Sequence, residues 1–497
     1  MKPPILSNKE FARRRRRFLQ TLGTDALAVI PAASEQPRNR DVVYPFRQDS
    51  DFLYLTGFPE PDAFAVLIPD RDEGEYVLFC RDRDPDQETW HGRRAGPEGA
   101  VAVYGADQAF PLSELDRILP TLLQNRRRLC APLGQRDDLD QRLMGWVRQV
   151  RAQARAGVRA PWEFVTLEHY LHEQRLFKSA HEIRVMRHAG AISTVAHRRA
   201  MQVCQPGKTE FQIEAELLHE FRRHGTEPAY PSIVGGGENA CILHYIENRS
   251  PLRAGDLLLI DAGCEYLGYA SDITRTFPVS GEFTPAQREV YELVLEAQTA
   301  AMQKILPGNV WNDPHEAAVQ VLTRGLRELG ILKGRLQDLL RKEAYKPYYM
   351  HRTGHWLGMD VHDVGDYRVH GKWRLLEPGM VMTVEPGLYF GPLAKAPRRF
   401  REIGIRIEDD VLVTRDGYDN LTRDCPKTLA EVEEACRGGV GDAKQDSVSP
   451  GKTHLDAVPA GREVTQPGAA EVNYAVGQGH TSVQSESWVA DAAIPIS

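Results

Sequence analysis

Acidic residues interrupt the most apolar strand-like runs in the second half of this chain, and that limits what it can fold into. Asp261 closes the run Leu257-Leu258-Leu259-Ile260, and Asp272 follows eleven residues later inside Tyr269-Ala270-Ser271-Asp272-Ile273-Thr274-Arg275-Thr276-Phe277. Glu385 stands in Val381-Met382-Thr383-Val384-Glu385-Pro386-Gly387, and Glu408 in Ile403-Gly404-Ile405-Arg406-Ile407-Glu408. A buried carboxylate is costly unless it is paired or binds a metal. One alone reads as a turn or cap residue, and the 403–410 strand alone reads as a solvated amphipathic face. Four in one domain ask for a shared solution. Strands joined by Glu265-Tyr266-Leu267-Gly268 can set Asp261 and Asp272 side by side. Alternation along a strand then points Arg406 and Glu408 one way and Ile405 and Ile407 the other.

Histidines add to the set. The segment 351–363 carries His351, His355 and His362. His351 and His355 have the i, i+4 spacing of a zinc-protease helix, but Arg352 replaces the glutamate of that motif and Gly354 argues against a helix. Loop histidines suit ligand or proton-transfer roles. Two Asp, two Glu and one His form an oxygen-rich donor set that favours hard ions, manganese more naturally than a thiolate-loving metal. Two divalent cations would balance four carboxylates. Such a pair, ~3.5–4 Å apart, lowers the pKa of a shared water towards ~7 and polarises a carbonyl, which is hydrolytic chemistry.

Around this core the chain reads as soluble and modular. At 497 residues it has room for two or three domains. Lys plus Arg number 62 against 69 Asp plus Glu, a net charge of −7 that gives no reason to expect nucleic acid or an anionic membrane as partner. No apolar run approaches the ~20 residues of a membrane helix. Seven cysteines, an odd number without a CxxC pair, read as reduced thiols and place the chain in the cytoplasm.

Arg13 to Arg17 superficially resembles a twin-arginine export signal, yet the segment after it carries Asp25 and is only weakly apolar. The expectation is instead an amphipathic helix with a Ser7/Glu10 capping box, Phe11, Phe18 and Leu22 inward, and the arginines on solvated faces. Short runs at 26–30 and 63–68 alternate with helical segments, which indicates an α/β N-terminal domain over 1–175. Capping boxes at Ser179/Glu182 and Thr209/Gln212 open two helices, the first reaching about residue 203. Strands are expected over 269–277, 381–390 and 403–413, so residues 176–436 read as an α+β domain. Residues 437–497, poor in large apolar side chains, are expected to be a disordered tail.

Several strings together resemble aminopeptidase P, the Xaa-Pro aminopeptidase family of bacterial type. They are Leu259-Ile260-Asp261-Ala262-Gly263, Ser271-Asp272-Ile273-Thr274-Arg275, His351-Arg352-Thr353-Gly354-His355, Val384-Glu385-Pro386-Gly387 and Gly404-Ile405-Arg406-Ile407-Glu408. The segments 230–245 and 46–58, the latter containing Phe46-Arg47-Gln48-Asp49-Ser50-Asp51, extend the likeness. The resemblance implies the pita-bread fold and five metal ligands, Asp261, Asp272, His355, Glu385 and Glu408, with Asp272 and Glu408 bridging two divalent ions, manganese expected. It further implies Glu385 as proton acceptor and His244 and His362 against the scissile carbonyl. Arg406 and Tyr389 would orient substrate and ligands, and Tyr230 and His351 would line the substrate site. Trp90 matches a tryptophan that reaches into a neighbouring subunit's site, within a dimer or tetramer; packing inside its own domain is the other reading.

The implied reaction removes an N-terminal residue from peptides with proline second. A prolidase acting on Xaa-Pro dipeptides shares the ligand set and is the nearest alternative. Methionine aminopeptidases lack so large an N-terminal domain, and creatinase does not use the metal ligands. A non-catalytic pita-bread binding module is the remote alternative, opposed by the intact ligand set.

Overall fold

Short apolar runs in the first third of the chain become a six-stranded mixed sheet. The computed structural model describes residues 3–438. Its strands are β1 (Ala26–Pro31), β2 (Phe64–Leu67), β3 (Tyr76–Cys80), β4 (Gln108–Pro111), β5 (Arg128–Ala131) and β6 (Glu163–Thr166), lying in the order β4-β3-β2-β1-β5-β6. The central strand β1 runs antiparallel to β2 and parallel to β5. Its residues alternate between two cores. Leu27 and Val29 meet Leu143 and Trp146 of a helix over Asp137–Arg151, while Ala28 and Ile30 face the core that continues into the rest of the molecule. Both faces are covered, which is why the run reads as uninterruptedly apolar.

The arginine-rich helix α1 (Asn8–Leu22) corrects two expectations. The Ser7 side chain makes no capping bond, because Glu10 is drawn inward, where its carboxylate accepts from Arg13, Arg14 and the Ser179 hydroxyl. Arg14 and Arg15 are not solvated but buried. Arg14 donates to the Tyr54 carbonyl (3.1 Å) and the Tyr269 hydroxyl (3.0 Å), and Arg15 donates to the Leu55 carbonyl (2.9 Å). Those carbonyls belong to the last turn of α2 (Ser50–Thr56), where no intrahelical partner exists. Arg13, Arg16 and Arg17 are exposed, as expected.

Helix α3 (Glu168–Leu176) precedes α4 (Ala180–Val203), which opens with the expected capping box: Ser179 N donates to Glu182 (2.8 Å) and Glu182 N to the Ser179 hydroxyl (3.3 Å). Helix α5 (Glu210–Arg223) begins with Thr209 N donating to Gln212 (3.0 Å). The strands that follow are shorter than expected. Where single strands were anticipated over 269–277, 381–390 and 403–413, each run is split. The first becomes β9 (Tyr269–Ala270) and β10 (Thr274–Pro278), preceded by β7 (Leu257–Asp261) and β8 (Cys264–Tyr266). The second becomes β11 (Val381–Val384) and β12 (Gly387–Tyr389), the third β13 (Gly404–Arg406) and β14 (Asp409–Val413). Asp272, Glu385 and Glu408 each occupy one of the three gaps. Strand β7 pairs antiparallel with β10, β11 with β14 and β12 with β13.

Helices α6 (Pro285–Met302) and α7 (Asp313–Glu328) pack behind the strands, and α8 (Leu429–Arg437) closes the described chain. The expected 437–497 tail lies outside the described residues from 439 onward. Among the described residues no helix is long and apolar enough to cross a membrane. All seven cysteines are free thiols.

His197 of α4 is fully buried, its Nε2 2.9 Å from the Ala262 carbonyl, and burial pushes its pKa from the ordinary 6.5 down to about 4. Between those values the unfolded chain takes up a proton that the folded chain refuses, so stability falls as pH drops from 6.5 towards 4. About 3 kcal/mol is at stake at one side chain. In urea titrations at pH 7 and pH 4, His197→Gln should show a distinctly smaller acid loss than the parent; equal losses would remove His197 from the account.

Candidate metal centre

Each interrupted strand delivers one carboxylate to the same place. Asp272, His355 and Glu408 offer donor atoms that all lie within 4.8 Å of one another. Asp261, at the end of β7, and Glu385, after β11, complete the group: the Tyr230 hydroxyl stands 2.7 Å from Asp261 Oδ1 and 2.5 Å from Asp272 Oδ1, and Glu385 Oε1 is 3.6 Å from His355 Nε2. The five face a cavity of about 840 Å³. His355 Nδ1 lies 3.0 Å from the Trp356 carbonyl, which keeps the proton there and leaves Nε2 to face Asp272 and Glu385. Gly354 is required beside it, since a Cβ would collide with the Thr383 carbonyl. The stretch from His351 to Asp366 holds no helix or strand, so the zinc-protease helix is absent.

Crowding like charges away from water has the expected electrostatic result. Burial, with Asp272 and Glu385 adding to it, holds Glu408 well above the ordinary carboxylate range. Burial and Asp261 raise Asp272, and burial lifts Glu385 to about 7. Burial opposes charge on His355 too, yet Asp272 and Glu385 hold it up at about 9. A self-repelling set of carboxylate oxygens with one imidazole, converging on one cavity, fits divalent cations, which would remove the repulsion.

Around these groups runs a hydrogen-bonded chain. His351 Nε2 lies 2.8 Å from the Tyr389 hydroxyl, Arg406 Nη1 donates to that hydroxyl (3.0 Å), and Arg406 Nη2 donates to Asp261 Oδ2 (2.5 Å). Arg406 and Glu408 do share the cavity face, while Ile405 and Ile407 enter the core. His244 and His362 are exposed in the cavity wall, and the His362 ring stands edge-on to His355 at 4.4 Å. Tyr230, assigned to substrate, lines the cavity but spends its hydroxyl on two of the carboxylates. Trp90 is not part of this site. It is 79% exposed on a short helix, Pro85–His91, which excludes the reading of packing within its own domain.

Other residues escaped the sequence reading. Thr274 donates to Glu408 Oε2 (2.5 Å) and accepts from Arg406 Nε (3.1 Å), and the Thr383 hydroxyl accepts from His355 N (3.1 Å). Glu408, Asp409 and Asp410 are consecutive yet diverge: Glu408 enters the cavity, Asp409 pairs with buried Arg275 (2.7 Å) and Lys427 (2.6 Å), and Asp410 accepts from Asp272 N (3.1 Å). Polar residues at buried positions of β10 and β14 were the readable signal for these supports.

The fold and donor set define a metallopeptidase. The pattern of metallopeptidase family M24 matches residues 184–415, and that of the aminopeptidase P N-terminal domain matches 11–130. The Xaa-Pro aminopeptidase of Escherichia coli K12 is 46% identical over 430 residues, 86% of this chain and 97% of that one. The structure of Pseudomonas aeruginosa aminopeptidase PepP superposes with a TM-score of 0.86 at 56% identity, covering 88% of this chain and 99% of that chain. A zinc-substituted E. coli aminopeptidase P in complex with product gives 0.84 at 46%, covering 87% and 98%. The chain belongs to the Xaa-Pro aminopeptidase family.

Proposed function

We propose that this enzyme removes the N-terminal residue from peptides whose second residue is proline. The convergence of Asp261, Asp272, His355, Glu385 and Glu408 on one cavity carries the reading. In it, Asp272 and Glu408 would serve both of two divalent cations, Asp261 would hold one of them, and His355 with Glu385 would hold the other. Bound there, the cations supply Lewis acidity, polarising the scissile carbonyl and bringing the pKa of the attacking water towards ~7.

The chain's own groups do the rest. Glu385 accepts the proton of the attacking water and passes it to the leaving proline nitrogen. His244 and His362 stabilise charge developing on the carbonyl oxygen. Arg406, held by Tyr389 and so by His351, fixes Asp261, beside which the substrate's free amine binds. Proline has no amide N–H, so the site needs no acceptor for one, and Leu243, Ile246 and Val361 give the cavity an apolar wall for the ring.

The division we adopt puts an N-terminal domain at 1–175 and the catalytic domain at 176–436; the two family matches fall on either side of it. Manganese as the working metal is supported by the oxygen-rich donors. Seven free thiols support a cytoplasmic enzyme. The exposed Trp90 supports a dimer or tetramer in which this side chain meets a neighbouring subunit, and light scattering of the parent and Trp90→Ala tests that assembly.

One mass-spectrometric assay tests the activity, with Ala-Pro-Ala and Ala-Pro offered together after dialysis against EDTA. No cleavage is expected until metal is restored, and Mn²⁺ should restore more than Zn²⁺. Alanine should come chiefly from the tripeptide. Cleavage chiefly of the dipeptide would make the enzyme a prolidase, and full activity in EDTA would refute the metal centre.

A further inference from the structure

The sequence motif at 46–52 does not touch the metal centre. Arg47 and Ser50 reach instead to the back of the loop that carries His355 and His362. Ser50 donates to Asp360 Oδ1 (2.6 Å), Arg47 Nη2 donates to the Met359 carbonyl (2.7 Å), and Arg47 Nε meets Glu265 (2.9 Å). Asp51 accepts from Arg175 Nη1 (2.7 Å). Arg175, in the last turn of α3 and only 3% exposed, then joins the two sides: its Nη2 lies 2.7 Å from both Asp360 Oδ2 and Asp363 Oδ1. Lys178 holds the other oxygen of Asp363 (2.9 Å).

Two features make this cluster consequential. First, strand bonds reach the loop only at its start, where Leu357 N donates to the Val381 carbonyl (3.0 Å) and Ala270 N to the Gly358 carbonyl (2.8 Å), so beyond Gly358 its course depends on side-chain contacts. Asp363 N donates to the Trp356 carbonyl (2.9 Å) and Gly358 N to the Asp360 carbonyl (3.1 Å), and little else ties the loop to itself. Gly358 cannot carry a side chain because its Cβ would strike the Asp363 carboxylate. Second, the anchored residues bracket the functional one. Asp360 and Asp363 lie two before and one after His362, whose ring faces the cavity on the loop's other side.

We propose that Arg175 is a positioning residue for the peptidase reaction: by tying Asp51 of α2 to Asp360 and Asp363, it fixes where His362 meets the substrate. Arg175 touches no metal ligand and does not line the catalytic cavity. A planar guanidinium with several donors satisfies three carboxylates at set angles, which a lysine's single ammonium cannot reproduce. The proposal rests on the reading that His362 stabilises charge on the scissile carbonyl, and the experiment separates the two.

The experiment is a double-mutant cycle on Ala-Pro-Ala hydrolysis by the manganese-loaded enzyme, pairing His362→Ala with Arg175→Gln and with Asp360→Ala. Asp360 is half-exposed, so its variant folds even where Arg175→Gln is compromised. Each positioning variant should lower kcat by about 10–100-fold with KM within about threefold, the range for residues that orient those touching the reaction. Metal content, read by atomic emission, should stay at the parent's value, and Arg175→Lys should recover part of the loss. In the His362→Ala background either substitution should cost less than about twofold further, since nothing is left to position. Losses that multiply fully with that of His362→Ala, a loss confined to KM, parent-like kcat, or loss of bound metal would each overturn the proposal. Parent-like activity of His362→Ala alone would instead refute the role of His362 and leave the cycle with nothing to measure, overturning the proposal with it.

Discussion

Glu385→Ala should lower kcat for Xaa-Pro hydrolysis by about 10³-fold or more while leaving a folded protein. Two losses combine. The variant removes the group read as proton acceptor, a role worth about 10²–10⁴-fold, and withdraws one of the four side chains assigned to one metal ion. Folding should not suffer, because Glu385 sits among like charges in the metal-free protein, where burial already lifts it to about 7. Truncation relieves that crowding, so the metal-free variant should unfold at the same urea concentration as the metal-free parent or higher. Retention of most of the activity would sink the assignment of Glu385, and unfolding at much lower urea would mean that the carboxylate serves the fold.

The second large effect is structural. Arg275 is completely buried in β10 and spends its guanidinium on Asp409 Oδ1 (2.7 Å) and on the carbonyls of Pro426 (2.8 Å), Thr274 (2.9 Å), Cys425 (3.1 Å) and Glu408 (2.5 Å). Arg275→Leu fills much of the space but strips the donors from four carbonyls and a buried carboxylate. Removing one partner of a buried ion pair costs about 3–5 kcal/mol. The measurement is the urea unfolding free energy of the metal-free proteins, and a loss below about 1 kcal/mol would show that Lys427 alone suffices for Asp409. Because one of the lost bonds is to the Glu408 carbonyl, metal affinity should fall as well.

The donor set was legible because its chemistry is conspicuous: carboxylates at the ends or centres of apolar runs stand out against period-two alternation. The interruption of those runs was less legible. Alternation reports which face a side chain takes and is silent on whether the ladder continues, so 269–277 read as one strand although Ser271 to Ile273 leave it. Pro386, which lacks an N–H, was the available mark of the gap between Val384 and Gly387, and the expectation of one strand over 381–390 passed over it. The buried arginines were missed for another reason. Arg14 and Arg15 look like solvent residues by type, and what compensates their burial is mostly distant in sequence: the unpaired carbonyls at the end of α2, forty residues on, and for Arg14 also Glu10, Glu182 and the Tyr269 hydroxyl. Asp360 and Asp363 carried no signal in sequence, since their partners lie 185 and 188 residues away. Trp90 remained ambiguous because a single chain does not display a neighbour's surface.

The gaps between β9 and β10, β11 and β12, and β13 and β14 also bear on synthesis. Asp261, Asp272 and His355 emerge early, but Glu385 and Glu408 lie beyond them, and Arg275 finds its last acceptors at Cys425 and Pro426. A nascent polypeptide halted before residue 385 carries three of the five donors. The metal centre therefore stays incomplete until Glu408 has been made, and Arg275 lacks its last acceptors until Pro426 has followed.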